Sequence, residues 1–193
     1  MPTWKLLATI ALTAILTAWL TLWFQQKALA APKAPAFTAL DYDDIIQLGN
    51  RYAYGIDTCS NNGYDYADVF TPDGVFIDKN SDQGFNQGGR VLARGREQLA
   101  ALIGGGSKGC KTKQIWTDWS HIMTNQVITP TPQGATGRIY LIQLDVKGPG
   151  TIERHGGYED VYVKTAAGWR IQSRTNVRNK AWHNPLLQTP DLN

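Results

Sequence analysis

Residues 115–129 read IWTDWSHIMTNQVIT, 136–147 TGRIYLIQLDVK, 151–164 TIERHGGYEDVYVK and 169–178 WRIQSRTNVR. Apolar and polar residues tend to alternate in these segments, and a period of two is that of a half-buried strand. Between them stand Pro130-Thr131-Pro132-Gln133-Gly134, Gly148-Pro149-Gly150 and Ala166-Ala167-Gly168. This turn chemistry joins neighbouring strands as hairpins. The second half of the chain is therefore expected to be four consecutive antiparallel strands.

Upstream the period becomes helical. Thr38 can cap a helix, with Asp41 three residues on and Asp43 and Asp44 in the first turn, where carboxylates favour the helix dipole. Ile45, Leu48, Tyr52 and Ile56 form one apolar stripe; Ile46, Gly49, Ala53 and Asp57 form its neighbour. Asn61-Asn62-Gly63 is a turn, 64–70 a short second helix, and Pro72-Asp73-Gly74 a further turn. Val75-Phe76-Ile77 begins a strand, 79–90 is a loop or loose hairpin, and 96–103 a third helix ended by Gly104-Gly105-Gly106. Helices followed by a run of strands predict an α+β domain, with the helices covering one face of a curved sheet.

The chain has 193 residues and a net charge of +3. Residues 1–30 carry Lys5 and Lys27 and no carboxylate, so the remainder stands at 17 basic against 16 acidic side chains. That balance argues against a nucleic-acid partner, and there is no basic-aromatic stripe. Leu6 to Phe24 is an uncharged run, and Ala28-Leu29-Ala30 follows it as a small-x-small cleavage site. The run is also just long enough to span a bilayer, with Trp19, Trp23 and Phe24 as an interfacial belt. Residues 1–30 are thus a signal peptide or an N-terminal membrane anchor; the order of features favours cleavage. Residues 31–37 form a stiff Pro-containing linker, 38–178 the domain and 179–193 a tail. The domain is expected to be exported, periplasmic or secreted, touching membrane only through the N-terminal segment.

In such a compartment Cys59 and Cys110, the only cysteines, are expected to form a disulfide. The alternative is two buried free thiols. Two cysteines and three scattered histidines, His121, His155 and His183, call for no metal. No Walker loop, GxGxxG, HExxH or GxSxG is present, and no cofactor is expected.

Alternation puts Trp119, His121, Met123, Asn125 and Val127 on one strand face, and their composition makes that face inward. A histidine there is by default a satisfied core residue. Asp57 changes the balance, because a carboxylate on an inward helix face is costly unless paired, and His121 is the partner in reach if the helix packs on the sheet. An Asp that holds an imidazole fixes its tautomer and raises its basicity, giving an oriented general base. Tyr158, Asp160 and Tyr162 share one parity and are further inward candidates. Arg174, in the last strand, could steady a developing anion, yet strict alternation puts it opposite Trp169 and Ile171 unless a bulge intervenes.

Taken in order, Tyr54-Gly55-Ile56-Asp57, the run from Tyr66 to Phe76, Ser120-His121-Ile122-Met123-Thr124-Asn125, Gly157-Tyr158-Glu159-Asp160 and Gly168-Trp169-Arg170-Ile171 with Arg174 resemble SnoaL-like proteins of the NTF2-like superfamily. The resemblance covers 38–178. It implies a cone, a bent and mostly antiparallel sheet wrapped around N-terminal helices with a pocket. The sequence is most similar to the branch of scytalone dehydratase and hexachlorocyclohexane dehydrochlorinase, which eliminate water or chloride with a His–Asp dyad. By motif position the resemblance implies His121 and Asp57 as catalytic residues, and Arg174, Asn125, Tyr158 and Tyr54 as substrate-binding. The dehydrochlorinase-type lysine is replaced by Tyr52. The dehydratase tyrosines fall near Ile56 and Asp78, and its pocket Asn falls at Tyr158, so the named substrates do not carry over. The expectation is an exported small-molecule enzyme of lyase or isomerase type. The alternative is a non-catalytic module that binds a ligand or partner, a role that an uncleaved N-terminal membrane anchor would fit, with the open sheet face of such folds available for a homodimer.

Overall fold

The computed structural model describes residues 16–23, 36–110, 119–145 and 151–178. The chain divides into two compact units, 1–36 and 37–193. In the first, residues 16–23 are helical (α1). The rest of the apolar run, the cleavage site and residues 31–35 of the linker lie outside the described residues, as does the tail 179–193. No helix among the described residues is long and apolar enough to cross a membrane.

The second unit begins with α2 (Ala39–Thr58). Thr38 and Asp41 form a reciprocal capping box, which satisfies two of the donors that a helix start leaves open. Asp41 is buried and also accepts from Lys164 Nζ at 2.6 Å and from Trp169 Nε1 at 2.8 Å. These contacts tie the helix start to the last hairpin. The hydrogen bond from Lys164, then those from Thr38 and Trp169, hold the Asp41 carboxyl well below the usual carboxylate range. Its contribution to stability is therefore present above the unfolded carboxylate's pKa of about 3.9 and fades as pH falls below it. Asp41→Asn is expected to lower stability at pH 7, and the gap from wild type should narrow below about pH 4. Urea titrations at the two pH values check this; a gap that widens in acid would contradict it.

The buried stripe of α2 is Asp41, Ile45, Leu48, Gly49, Tyr52 and Gly55; Ile46, expected beside it, is exposed. A 3₁₀ turn (Ser60–Gly63) and α3 (Tyr64–Ala67) follow. The second helix is shorter than expected because Phe70 already pairs with Ile171 in the sheet. A Cβ on Gly55 would stand 2.8 Å from both the backbone nitrogen and the Cα of Tyr66, so α2 and α3 approach backbone to backbone. Gly55→Ala is expected to destabilise by roughly 1–3 kcal/mol, despite the helix preference for Ala of about 1 kcal/mol. A thermal melt at or above the wild-type midpoint would contradict that.

The strands are β1 (Phe70–Asn80), β2 (Arg90–Arg94), β3 (Trp119–Thr131), β4 (Gly134–Asp145), β5 (Thr151–Thr165) and β6 (Gly168–Arg178), with α4 (Gly95–Leu102) after β2. The four strands expected from the alternation are β3 to β6, each antiparallel to the next; residues 115–118, 146–147 and the Gly148-Pro149-Gly150 turn lie outside the described residues. All six strands belong together. They form one sheet in the order β2-β1-β6-β5-β4-β3; every neighbouring pair is antiparallel except β1 with β6. The expected turn at Pro72-Asp73-Gly74 lies inside β1, where residues 71–74 bulge between the pairs Phe70–Ile171 and Val75–Ser173. Register also shifts in the β1/β2, β3/β4, β4/β5 and β5/β6 ladders. Each bulge bends its strand, and together they curl the sheet. The core is Ile45, Leu48, Tyr52, Tyr66, Phe70, Leu99, Leu141, Tyr158, Tyr162, Trp169 and Ile171 with smaller neighbours.

Candidate active site

The last turn of α2 carries Asp57 to the start of β3. Asp57 Oδ1 lies 2.5 Å from His121 Nδ1, and Oδ2 accepts the His121 backbone N–H at 2.9 Å. Both side chains are largely withdrawn from solvent, at 11% and 4% exposure. One carboxylate thus grips both the ring and the main chain of His121. A carboxylate can only accept, so this contact places a proton on Nδ1.

One and a half helical turns before Asp57, Tyr52 meets the His121 ring edge-on, with centroids 6.5 Å apart at 84°. Its hydroxyl is 3.3 Å from that of Tyr158. The Arg174 guanidinium lies over both rings, 4.0 Å from the Tyr52 centroid and 4.5 Å from that of Tyr158. It donates two hydrogen bonds to Asp160, at 2.8 and 2.7 Å. Tyr162 donates to the same carboxylate at 2.5 Å, and Gln126 donates to the Tyr162 hydroxyl at 3.2 Å. Arg174 and Asp160 are fully buried. Burial works against the Arg174 cation, but the Asp160 carboxylate and its hydrogen bonds outweigh it and hold the guanidinium charged. Burial likewise pushes the hydroxyls of Tyr52, Tyr66, Tyr158 and Tyr162 up, so they remain protonated and can donate. Two buried donor atoms, Arg174 Nη1 and the Tyr66 hydroxyl, have no hydrogen-bond partner among the described residues.

Arg174 reaches this cluster because Gln172 is an extra residue in β6: Val161 pairs with Ser173 and Tyr162 with Ile171. The bulge resets the parity, and Arg174 is buried on the side of Trp169 and Ile171. A second bulge has the opposite consequence for Asn125. The β3/β4 register breaks between Thr124 and Val127, and Asn125 sits at φ 53°. Asn125 and Val127 are exposed, and Asn125 borders an open cleft of about 620 Å³ with Arg138, Tyr140 and His155. Gln126 takes the inward place expected for Asn125. Tyr54 is 60% exposed and borders a polar groove with Gln47, Asn50 and Arg51, outside the buried aromatic cluster. Of the six residues singled out, the structure brings together Asp57 with His121, and Tyr158 with Arg174; Tyr52 bridges the two pairs. Tyr66 and Gln126 carried no signal in the sequence pattern, whereas the parity of Tyr158, Asp160 and Tyr162 foretold their burial. Cys59 and Cys110 are joined in a disulfide. Among the described residues no group of three His, Cys, Asp or Glu side chains could hold a metal.

A bent, mostly antiparallel sheet packed against helices, with Asp57 bonded to His121 and a buried arginine in its interior, defines an α+β domain of the NTF2-like kind. The family model for the SnoaL-like domain matches residues 38–175, and the chain belongs to that family. Similar solved structures include an NTF2-like protein with a cystatin-like fold from Novosphingobium aromaticivorans, 24% identical with a TM-score of 0.57, covering 73% of this chain and 83% of that one. A protein of unknown function with a cystatin-like fold from Nostoc punctiforme is 22% identical, with a TM-score of 0.56 and coverage of 78% and 98%. A function-unknown protein from Mycobacterium tuberculosis is 23% identical, with a TM-score of 0.57 and coverage of 80% of each chain. At these identities the likeness is one of fold. No curated protein matches the chain.

Proposed function

We propose that the domain is a small-molecule enzyme of lyase or isomerase type in which His121 abstracts a proton. The observation that carries this reading is the two-point grip of Asp57 on His121. Asp57 keeps the proton on Nδ1 and stabilises the imidazolium that forms when Nε2 accepts a proton. In an elimination, the C–H bond beside an electron-withdrawing group breaks and its electron pair becomes the new C=C bond. The group on the adjacent carbon leaves with its own electron pair and takes up the proton from the imidazolium, which returns His121 to the neutral base. In an isomerisation the same proton returns to a different carbon. Arg174 Nη1 and the hydroxyls of Tyr66 and Tyr158 are donors for an oxygen that gains charge in such a step. Asp160 already balances the Arg174 charge, which suits a neutral substrate whose charge develops only in passing.

The same pairing of Arg174 with Asp160 favours a second reading, a non-catalytic module that binds an uncharged ligand or a partner. The disulfide supports an oxidising compartment, in keeping with export by way of residues 6–24. Exposed Ile122, Val127 and Tyr140 on the open sheet face are in keeping with a homodimer. The deciding experiment incubates the purified domain with hydroxylated and halogenated cyclic compounds and follows eliminated or isomerised products by mass spectrometry. Product from wild type but not from His121→Ala supports the enzyme. A compound that raises the melting temperature of both proteins and is turned over by neither supports the binding module.

A further inference from the structure

We infer that the Cys59–Cys110 disulfide is a positioning device for the Asp57–His121 pair, an inference that rests on the proton-abstraction reading of that pair. Asp57 is the second-last residue of α2 and Cys59 is its C-cap, so the bridge is anchored two residues beyond the carboxylate. Its other end, Cys110, precedes His121 by eleven positions in the sequence. The disulfide therefore joins the end of the helix that presents Asp57 to the segment leading toward the strand that presents His121.

The helix end at this point is unfavourable by itself. Cys59 adopts φ 48° and ψ 35°, a left-handed cap that ordinarily falls to glycine or asparagine. Asn61 and Asn62 follow at φ 48° and 55°, and Gly63 at φ 81°. Four of five successive residues are thus left-handed; glycine and asparagine tolerate this conformation, so its cost falls on Cys59. The last turn of α2 has no basic side chain to offset its carbonyl ends. Without a tether, Cys59 gains by leaving the left-handed region, and the last helical turn, which holds Asp57, loosens with it. The bridge opposes that relaxation at the one place where a small shift in the carboxylate would break its two bonds to His121. A disulfide placed only for stability would need no such proximity, since its effect on the unfolded chain depends on the length of the loop it closes.

Two substrate-free readouts test this on oxidised and reduced protein. The first is residue-resolved amide exchange. The His121 N–H donates to Asp57, so its protection reports the grip directly. The second is the nitrogen-15 signature of the His121 imidazole. On reduction, the His121 amide is expected to lose protection by about tenfold, the factor that corresponds to relaxing one left-handed residue. This loss should exceed that at Ile139, Leu141 and Tyr158 in the core strands, and the ring should leave its fixed Nδ1–H tautomer. If His121 falls only in step with the core amides, or if neither readout moves, the inference is wrong and the bridge is a stability element. Should the reduced protein unfold, Cys59→Ala/Cys110→Ala held in a stabilising osmolyte takes its place, since alanine keeps the Cβ that the left-handed cap crowds. The selective loss at His121 is again expected, and protection equal to oxidised wild type overturns the inference. Turnover surviving His121→Ala would refute the proton-abstraction reading without altering either readout.

Discussion

His121→Ala is expected to lower turnover by about 10²- to 10⁴-fold, the usual share of a positioned general base, while the domain stays folded. His121 sits near the start of an edge strand, and its ring is bonded to Asp57. Asp57→Asn is a subtler probe, because an amide at this position can present its NH₂ to Nδ1 and favour the wrong tautomer. It should approach the alanine variant in rate while leaving the circular dichroism spectrum unchanged. The two losses should not add in the double variant, because both remove one acid–base unit. Full additivity would show that the two do not act as one unit, and activity within a few fold of wild type in either single variant would show that the pair has no part in the chemistry.

Asp160→Ala is expected to be the most destabilising single change in the domain, at roughly 3–5 kcal/mol. It leaves Arg174, fully buried and lying over the rings of Tyr52 and Tyr158, without its counter-charge, and it strips the acceptor from Tyr162. The penalty is that of an uncompensated buried cation rather than the net worth of the ion pair. Asp160→Leu/Arg174→Met should therefore recover much of the lost stability, since apolar replacement of a buried pair is often close to neutral. Urea unfolding of Asp160→Leu, of Arg174→Met and of the double variant closes the cycle. A cost below about 1 kcal/mol for Asp160→Ala, the range of an exposed pair, would mean that water reaches Arg174 and that its burial has been misread. The double variant also bears on function. If it folds and still turns substrate over, Arg174 is structural rather than a donor to the reaction.

Much of the fold was legible in the chain itself. The turn residues at 130–134 and 166–168 separate strands that alternate with period two, and the capping pair Thr38 and Asp41 marks where α2 begins. The candidate site was legible in part. Asp57 and His121 could be paired because an inward carboxylate demands a partner, and Tyr158, Asp160 and Tyr162 share a parity that the sheet keeps. Asn125 and Ile46 lie on other sides than the pattern gave them. Asn125 falls in a bulge that turns it outward. Ile46 sits on a helix whose buried stripe is narrower than its apolar residues suggest. Tyr66 went unnoticed because a tyrosine in a four-residue helix has no periodic context.

Local pattern and local chemistry thus determined the α+β class, the order of the elements, the hairpins and the cap. These depend on residues within a few positions of one another, and their physical causes act over that distance. The tertiary structure alone decided the side to which Arg174 turns, the outward rotation of Asn125, the capture of the Arg174 charge by Asp160 and the closeness of the disulfide to Asp57. Each follows from register between strands or from packing between elements far apart in the chain. A one-residue bulge exchanges the two faces of a strand without altering the apolar alternation from which those faces are read.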